Sequence, residues 1–228
     1  MAHLLAIVTN QETYQTRPIK TGLWLSELTH LYSHAKQHGH QVSIASPKGG
    51  QTPLDPESLK PFLLDKVSKT LLNDADFMQL LATTRPLDAI QAADFDGIYL
   101  TGGHGTMFDF PDNADLQKLI AEFYESGKLV SAVCHGVGGL LNVKLSDGTF
   151  LVKNKTLTGC SWTEEIVALR KNDVPFDLED QLKQRGAEYQ KSWLPLAPKV
   201  CVDGQLLTGQ NPFSSKALAE AVMAYLAK

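Results

Sequence analysis

Short apolar runs alternate with amphipathic stretches along almost the whole chain, and few folds accept that alternation. "LLAIVT" (4–9), "QVSIAS" (41–46), "FDGIYLTGG" (95–103) and "LVSAVC" (129–134) are brief and nearly free of charge. Such runs read as strands buried on both faces. Between them the spacing predicts a helix over about 21–38, with Leu25, Leu28, Leu31, Tyr32 and Ala35 on its apolar side and Gly39 as its stop. It also predicts a short helix over about 73–82, and another over about 113–126 with Leu116, Leu119, Ile120 and Phe123 on one face. "PKGGQTPLDPES" reads as a turn-rich loop. Further on come a strand near 156–158, helices near 163–170 and 178–184, and a hairpin over about 200–209 whose turn signal is Asp203-Gly204. Asn211 and Pro212 open a last helix. Alternation of this kind implies an α/β fold with an open, mostly parallel sheet covered on both faces. Ligands then bind beyond the carboxyl ends of the strands. The loop after Thr9, the glycines after Leu100 and the residue Cys134 all fall at such ends.

A chain of 228 residues buries a full core without disulfide or metal staples. One domain over 1–228 is expected, with small insertions at about 47–90 and 161–200. The net charge of −4 and the dispersed Lys and Arg argue against nucleic acid or an anionic membrane as partner. No apolar stretch reaches membrane-spanning length. "MAHLLAIVTN" lacks a basic leader and reads as a first strand, not a signal peptide. The three cysteines are widely spaced and form no C-x-x-C pair, which predicts neither disulfides nor a zinc knuckle and favours a reducing cytoplasm.

The chemistry concentrates in "LVSAVCHGVGGLL" (129–141). A strand that ends on a nucleophile and turns at once into a helix is a strained elbow, which needs small residues two before and two after the nucleophile. Here these are Ala132 and Gly136. A helix N-terminus directly after Cys134 would lower its thiol pKa. A buried structural thiol is the competing reading, and these residues alone leave both open. "LTGGHGTMFDFPDN" (100–113) lacks G-x-G-x-x-G and the P-loop Lys-Ser/Thr pair, so a phosphate cradle is disfavoured. Either Gly102 and Gly103 offer amides to a developing oxyanion, or they only form a tight turn. Glu27, judged from its own stretch, reads as a solvated helix carboxylate. His30, His34 and His38 recur at i, i+4 but lack a completing ligand, so no metal is expected. None of the seven histidines follows His135, which removes the downstream base of papain-like and amidotransferase arrangements.

Taken together, "TGLWLSELTH", "ASPKGGQTPLDPES", "DFDGIYLTGGHGTMFDFPDN", "AVCHG", "KTLTGCSWTEE" and "LLTGQNPFSS" resemble the ThiJ/PfpI superfamily. The nearest likeness is its longer branch of glutathione-independent glyoxalases and heat-inducible holding chaperones. The resemblance implies a flavodoxin-like three-layer sandwich, class I glutamine amidotransferase-like, with a mostly parallel central sheet, and a homodimer. It implies Cys134 as nucleophile, His135 as its partner, Glu27 beside the sulfur and Glu165 as third member of a Cys-His-acid triad. Glu164 is the adjacent alternative. Gly102, Gly103 and His104 fall on the oxyanion and substrate side. Cys160 departs from the aromatic residue expected after that T-G, which alters the pocket wall or adds a second oxidisable thiol. The implied activity is cofactor-free conversion of small 2-oxoaldehydes such as methylglyoxal to 2-hydroxy acids, of D-lactate dehydratase type. Two alternatives stand beside it: a stress-responsive holding chaperone, and a cysteine peptidase or amidase using the same triad.

Overall fold

The computed structural model describes residues 1–228. β1 (His3–Ile7) leads through a long loop to α1 (Leu25–Gln37), then to β2 (Gln41–Ser46) and β3 (Lys48–Gly50). α2 (Lys66–Leu72), α3 (Ala75–Ala82) and β4 (Thr84–Pro86) come next, then β5 (Gly97–Leu100), the single turn α4 (Thr106–Asp109), α5 (Ala114–Glu125) and β6 (Leu129–Val133). The last third contains β7 (Thr156–Leu157), α6 (Trp162–Val167), α7 (Leu178–Gln184), β8 (Glu188–Tyr189), the hairpin β9 (Val200–Asp203) and β10 (Leu206–Gly209), and α8 (Ser215–Leu226).

Eight strands form one sheet in the order β3-β4-β2-β1-β5-β6-β10-β9. Only its edge strands, β3 and β9, run antiparallel to their neighbours. β7 and β8 pair separately, in parallel. Alternate residues of β1 and its extension enter opposite cores, Leu5 and Ile7 on one face and Leu4, Ala6 and Val8 on the other. That period-2 split explains why the strand carries no polar face. α5 covers the first face through Leu116, Leu119, Ile120 and Phe123. α1 and α8 cover the second through Leu28, Leu31, Leu218 and Val222. The mostly parallel, covered sheet expected from the alternation and the flavodoxin-like sandwich implied by the resemblance are therefore the observed fold.

Several local expectations shift. α1 begins at Leu25 and not at 21, because Leu23 pairs with Leu54 in an isolated bridge and keeps the chain extended. Gly22 (φ +156°) passes so close to Pro53 that a Cβ there would lie 2.3 Å from its carbonyl oxygen. "PKGGQTPLDPES" contains β3 and a 3₁₀ turn, Pro56–Leu59, which Asp55 caps. The helix α2, capped by Asp65, lies where no helix was expected. The β9–β10 turn is Gly204-Gln205, one residue beyond its signal, with Asp203 facing Leu206 across the hairpin and Gly204 at φ +60°.

Candidate active site

β5 and β6 lie side by side, with Leu100 paired to Ala132, so the glycines after β5 come against the residue that follows β6. That residue, Cys134, has φ +56°, which is uncommon for a residue with a side chain. Gly136 makes the turn possible, since a Cβ there would stand 2.3 Å from the Thr101 carbonyl oxygen. The strained elbow is present. Beyond it the buried helix expected there winds as a 3₁₀ run, Cys134–Leu140.

The cysteine and its neighbour face one another across the bend, with Cys134 Sγ 3.2 Å from His135 Nδ1. The other ring nitrogen, His135 Nε2, meets Glu165 Oε1 at 2.5 Å. Glu165 is carried in by the first turn of α6, beyond a Ser161 capping box. Its second oxygen, Oε2, lies 3.1 Å from His104 Nε2, and the two histidine rings stand 4.1 Å apart at their centroids. One carboxylate therefore orients two histidines. Glu164 points elsewhere: it closes the capping box and accepts from Asn211 Nδ2 at 2.8 Å and the Leu196 amide at 3.1 Å. The register choice between the two glutamates falls to Glu165.

Glu27 is fully buried, against the solvated position that its own stretch suggested. Its helix is enclosed by the sheet, α8 and α2, so the residue beside the Leu25–Leu28 stripe is also covered. Oε2 of Glu27 accepts the Gly102 amide at 2.6 Å, while Oε1 has no hydrogen-bond partner. The Gly102 N–H is thus engaged and not free for an oxyanion, which corrects that expectation. Gly103 (φ +100°) packs against Gly22, and neither its amide nor that of His135 has a protein acceptor.

Burial raises the thiol of Cys134, but the hydrogen bond from Cys160 and the positive charge of His135 outweigh it and hold the thiol well below its usual range. The facing side chains thus account for the lowering that the sequence led one to expect. Burial disfavours the imidazolium of His135, yet the adjoining Cys134 and Glu165 charges raise its pKa well above normal. Glu165 is depressed despite burial, by His135 and then His104. Burial first, then the charge of Cys134, push Glu27 well above the carboxylate range. These opposed shifts favour a thiolate–imidazolium pair flanked by an ionised Glu165 and a protonated Glu27.

A cavity of about 280 Å³ opens over these groups. Cys134, His135, His104, Cys160 and Glu165 line it, together with apolar side chains that include Trp24, Phe62, Val167, Leu196 and Phe213. Outside the cavity lining, the loop after β1 sets the Tyr14 ring 5.5 Å from that of His104. Only its place beyond a strand end signalled it. His30, His34 and His38 do not converge: His30 pairs with Asp65, and the other two bond to carbonyls one turn back. Two triads could hold a metal by proximity, Cys134–His135–Cys160 and His104–His135–Glu165.

A three-layer α/β sandwich with a cysteine at a strained elbow, backed by histidine and glutamate, defines an elbow-cysteine protein. Comparison with known proteins narrows the class. The DJ-1/PfpI family profile matches residues 19–225, and the chain belongs to that family. It is 32% identical to the glutathione-independent glyoxalase HSP31 of Saccharomyces cerevisiae, over 95% of this chain and 94% of that protein. The crystal structure of glyoxalase III from Candida albicans superposes with a TM-score of 0.88 at 28% identity, covering 98% of this chain and 97% of that one. The Rapid Encystment Protein 24 kDa of Francisella tularensis superposes with a TM-score of 0.95 at 34% identity, over 99% of both chains.

Proposed function

We propose that the protein converts small 2-oxoaldehydes, methylglyoxal among them, to 2-hydroxy acids without glutathione or another cofactor. The observation that carries this reading is a buried carboxyl, Glu27, held protonated beside a thiolate at an elbow. The glyoxalase names of the relatives support it. Cys134 Sγ attacks the aldehyde carbon to form a C–S bond, and Glu27 gives its proton to the resulting alkoxide. Loss of the thiolate charge removes one of the causes that kept Glu27 protonated, so its carboxylate then takes the proton from that same carbon. His135 protonates the neighbouring oxygen, giving an enediol. Glu27 returns a proton to the second carbon while His135 recovers one from the first oxygen, leaving a thioester. Water cleaves the thioester, re-protonates Glu27 and frees the acid and the thiolate. The Gly103 and His135 amides are the donors to the transient oxyanions. Glu165 and, through it, His104 keep the His135 ring aimed at the sulfur.

A homodimer is part of the same reading, since Phe62, Leu169 and Trp193 leave large apolar surface exposed. Three free thiols fit a reducing cytoplasm.

The test is product analysis after incubation with methylglyoxal alone. A single lactate enantiomer is expected from wild type, and a loss of about 10³-fold or more in Cys134→Ser. Racemic or absent lactate from the folded wild type rejects the reaction and favours the holding-chaperone alternative, in which suppression of client aggregation survives that substitution.

A further inference from the structure

The proposed reaction gives Cys160 no bond-making or proton-transfer step of its own. Cys160 donates its backbone N–H to the Cys134 carbonyl at 3.3 Å, which sets the two cysteines side by side across the elbow. The two sulfurs and a ring nitrogen of His135 all lie within 4.8 Å of one another, and all three residues are buried. A tetrahedral Zn²⁺ has bonds of about 2.3 Å to sulfur and 2.0–2.1 Å to nitrogen, which places its ligand atoms roughly 3.6–3.8 Å apart. Adjustments of at most about 1 Å would bring the three atoms to those separations. His135 already has the arrangement that metal-bound histidines adopt. Nδ1 faces the sulfur of Cys134, and Nε2 is hydrogen-bonded to a carboxylate that fixes the ring. All three residues line the cavity, which leaves a fourth position for water. The other histidine–carboxylate triad has its polar atoms committed to one another.

We infer that Cys134, Cys160 and His135 form a site for a thiophilic divalent cation, Zn²⁺ or Cd²⁺, whose binding silences the nucleophile. Two thiolates and an imidazole select such ions over Mg²⁺ or Ca²⁺. Binding forms two metal–sulfur bonds and one metal–nitrogen bond. It releases one proton from Cys160 and one from the Cys134–His135 pair, with no change of oxidation state. The sulfur lone pair that attacks the aldehyde is then taken up by the metal. Silencing rests on the proposed reaction; the metal site does not.

The experiment is a titration of metal-free protein with Co²⁺ in the absence of substrate, followed by displacement with Zn²⁺. One equivalent is expected, with thiolate-to-cobalt absorption and the visible bands of a tetrahedral site. Cys160→Ser should weaken Zn²⁺ binding by about 10-fold or more, and Cys160→Ala should repeat the result without a hydroxyl. A wild-type spectrum without thiolate absorption, or equal Zn²⁺ affinity in wild type and both folded variants, overturns the site. One equivalent of Zn²⁺ should abolish methylglyoxal turnover and a chelator should restore it; full turnover by the zinc-bound protein overturns the silencing. Because binding is read without substrate, a protein that binds zinc at Cys160 yet never converts methylglyoxal refutes the reaction and leaves the metal site standing.

Discussion

Folding favours the neutral acid form of Glu27, first through burial and then through the charge of Cys134. In the unfolded chain the same carboxyl ionises near its ordinary value of 4.5. Above that pH the folded state keeps a proton that the unfolded state has lost, so stability falls as pH rises toward the folded pKa. Glu27→Gln substitutes a neutral group of the same shape. It should therefore melt higher than wild type at pH 8, with the gain shrinking toward pH 4.5. Turnover should fall about 10²–10⁴-fold. Thermal melts across that range, with initial rates, check both halves. A variant less stable than wild type at pH 8, or one with wild-type turnover, would show that Glu27 is not the protonated acid described.

The elbow is the element on which the site depends. Cys134 holds its positive φ because β6 runs straight into a turn whose Gly136 lies against the Thr101 carbonyl. An added methyl has no room there, since the obstacle is backbone and not a side chain that can swing aside. Gly136→Ala should destabilise by about 1–3 kcal/mol, measured by denaturant unfolding, and should reduce turnover by displacing Cys134. An alanine variant with unchanged stability and rate would mean that the elbow tolerates a shift. The residues forecast the small neighbours at 132 and 136 because steric need acts within a few positions. They forecast a helix after the elbow but not its 3₁₀ winding, and they did not forecast the helix α2. α2 is only seven residues long and buries little besides Ser68, too weak an apolar stripe to read.

At the scale of the whole molecule, two apolar cores share a single sheet, one on each face. Neither core survives without the strands between them, so the chain should unfold in one cooperative transition despite the insertions at 47–90 and 161–200. If the exposed Phe62, Leu169 and Trp193 belong to a dimer of 25.0 kDa chains, the melting midpoint should rise with protein concentration by mass action. Calorimetry over a hundredfold concentration range reads both, and two separated transitions or a fixed midpoint defeats the respective claim. The alternation of short apolar runs with amphipathic helices determined the layered sheet, the strand ends that face the site, and the elbow at Cys134. Each arises from local periodicity and sterics, which a linear chain records. Tertiary structure alone decided that Glu27 is buried on Gly102. It also set Glu165, which the resemblance had already preferred to Glu164, against His135, gave His104 the same carboxylate, and placed the Cys160 sulfur beside that of Cys134. These contacts join residues as many as 75 positions apart. Their energies come from burial and facing charges, which exist only once the layers have packed.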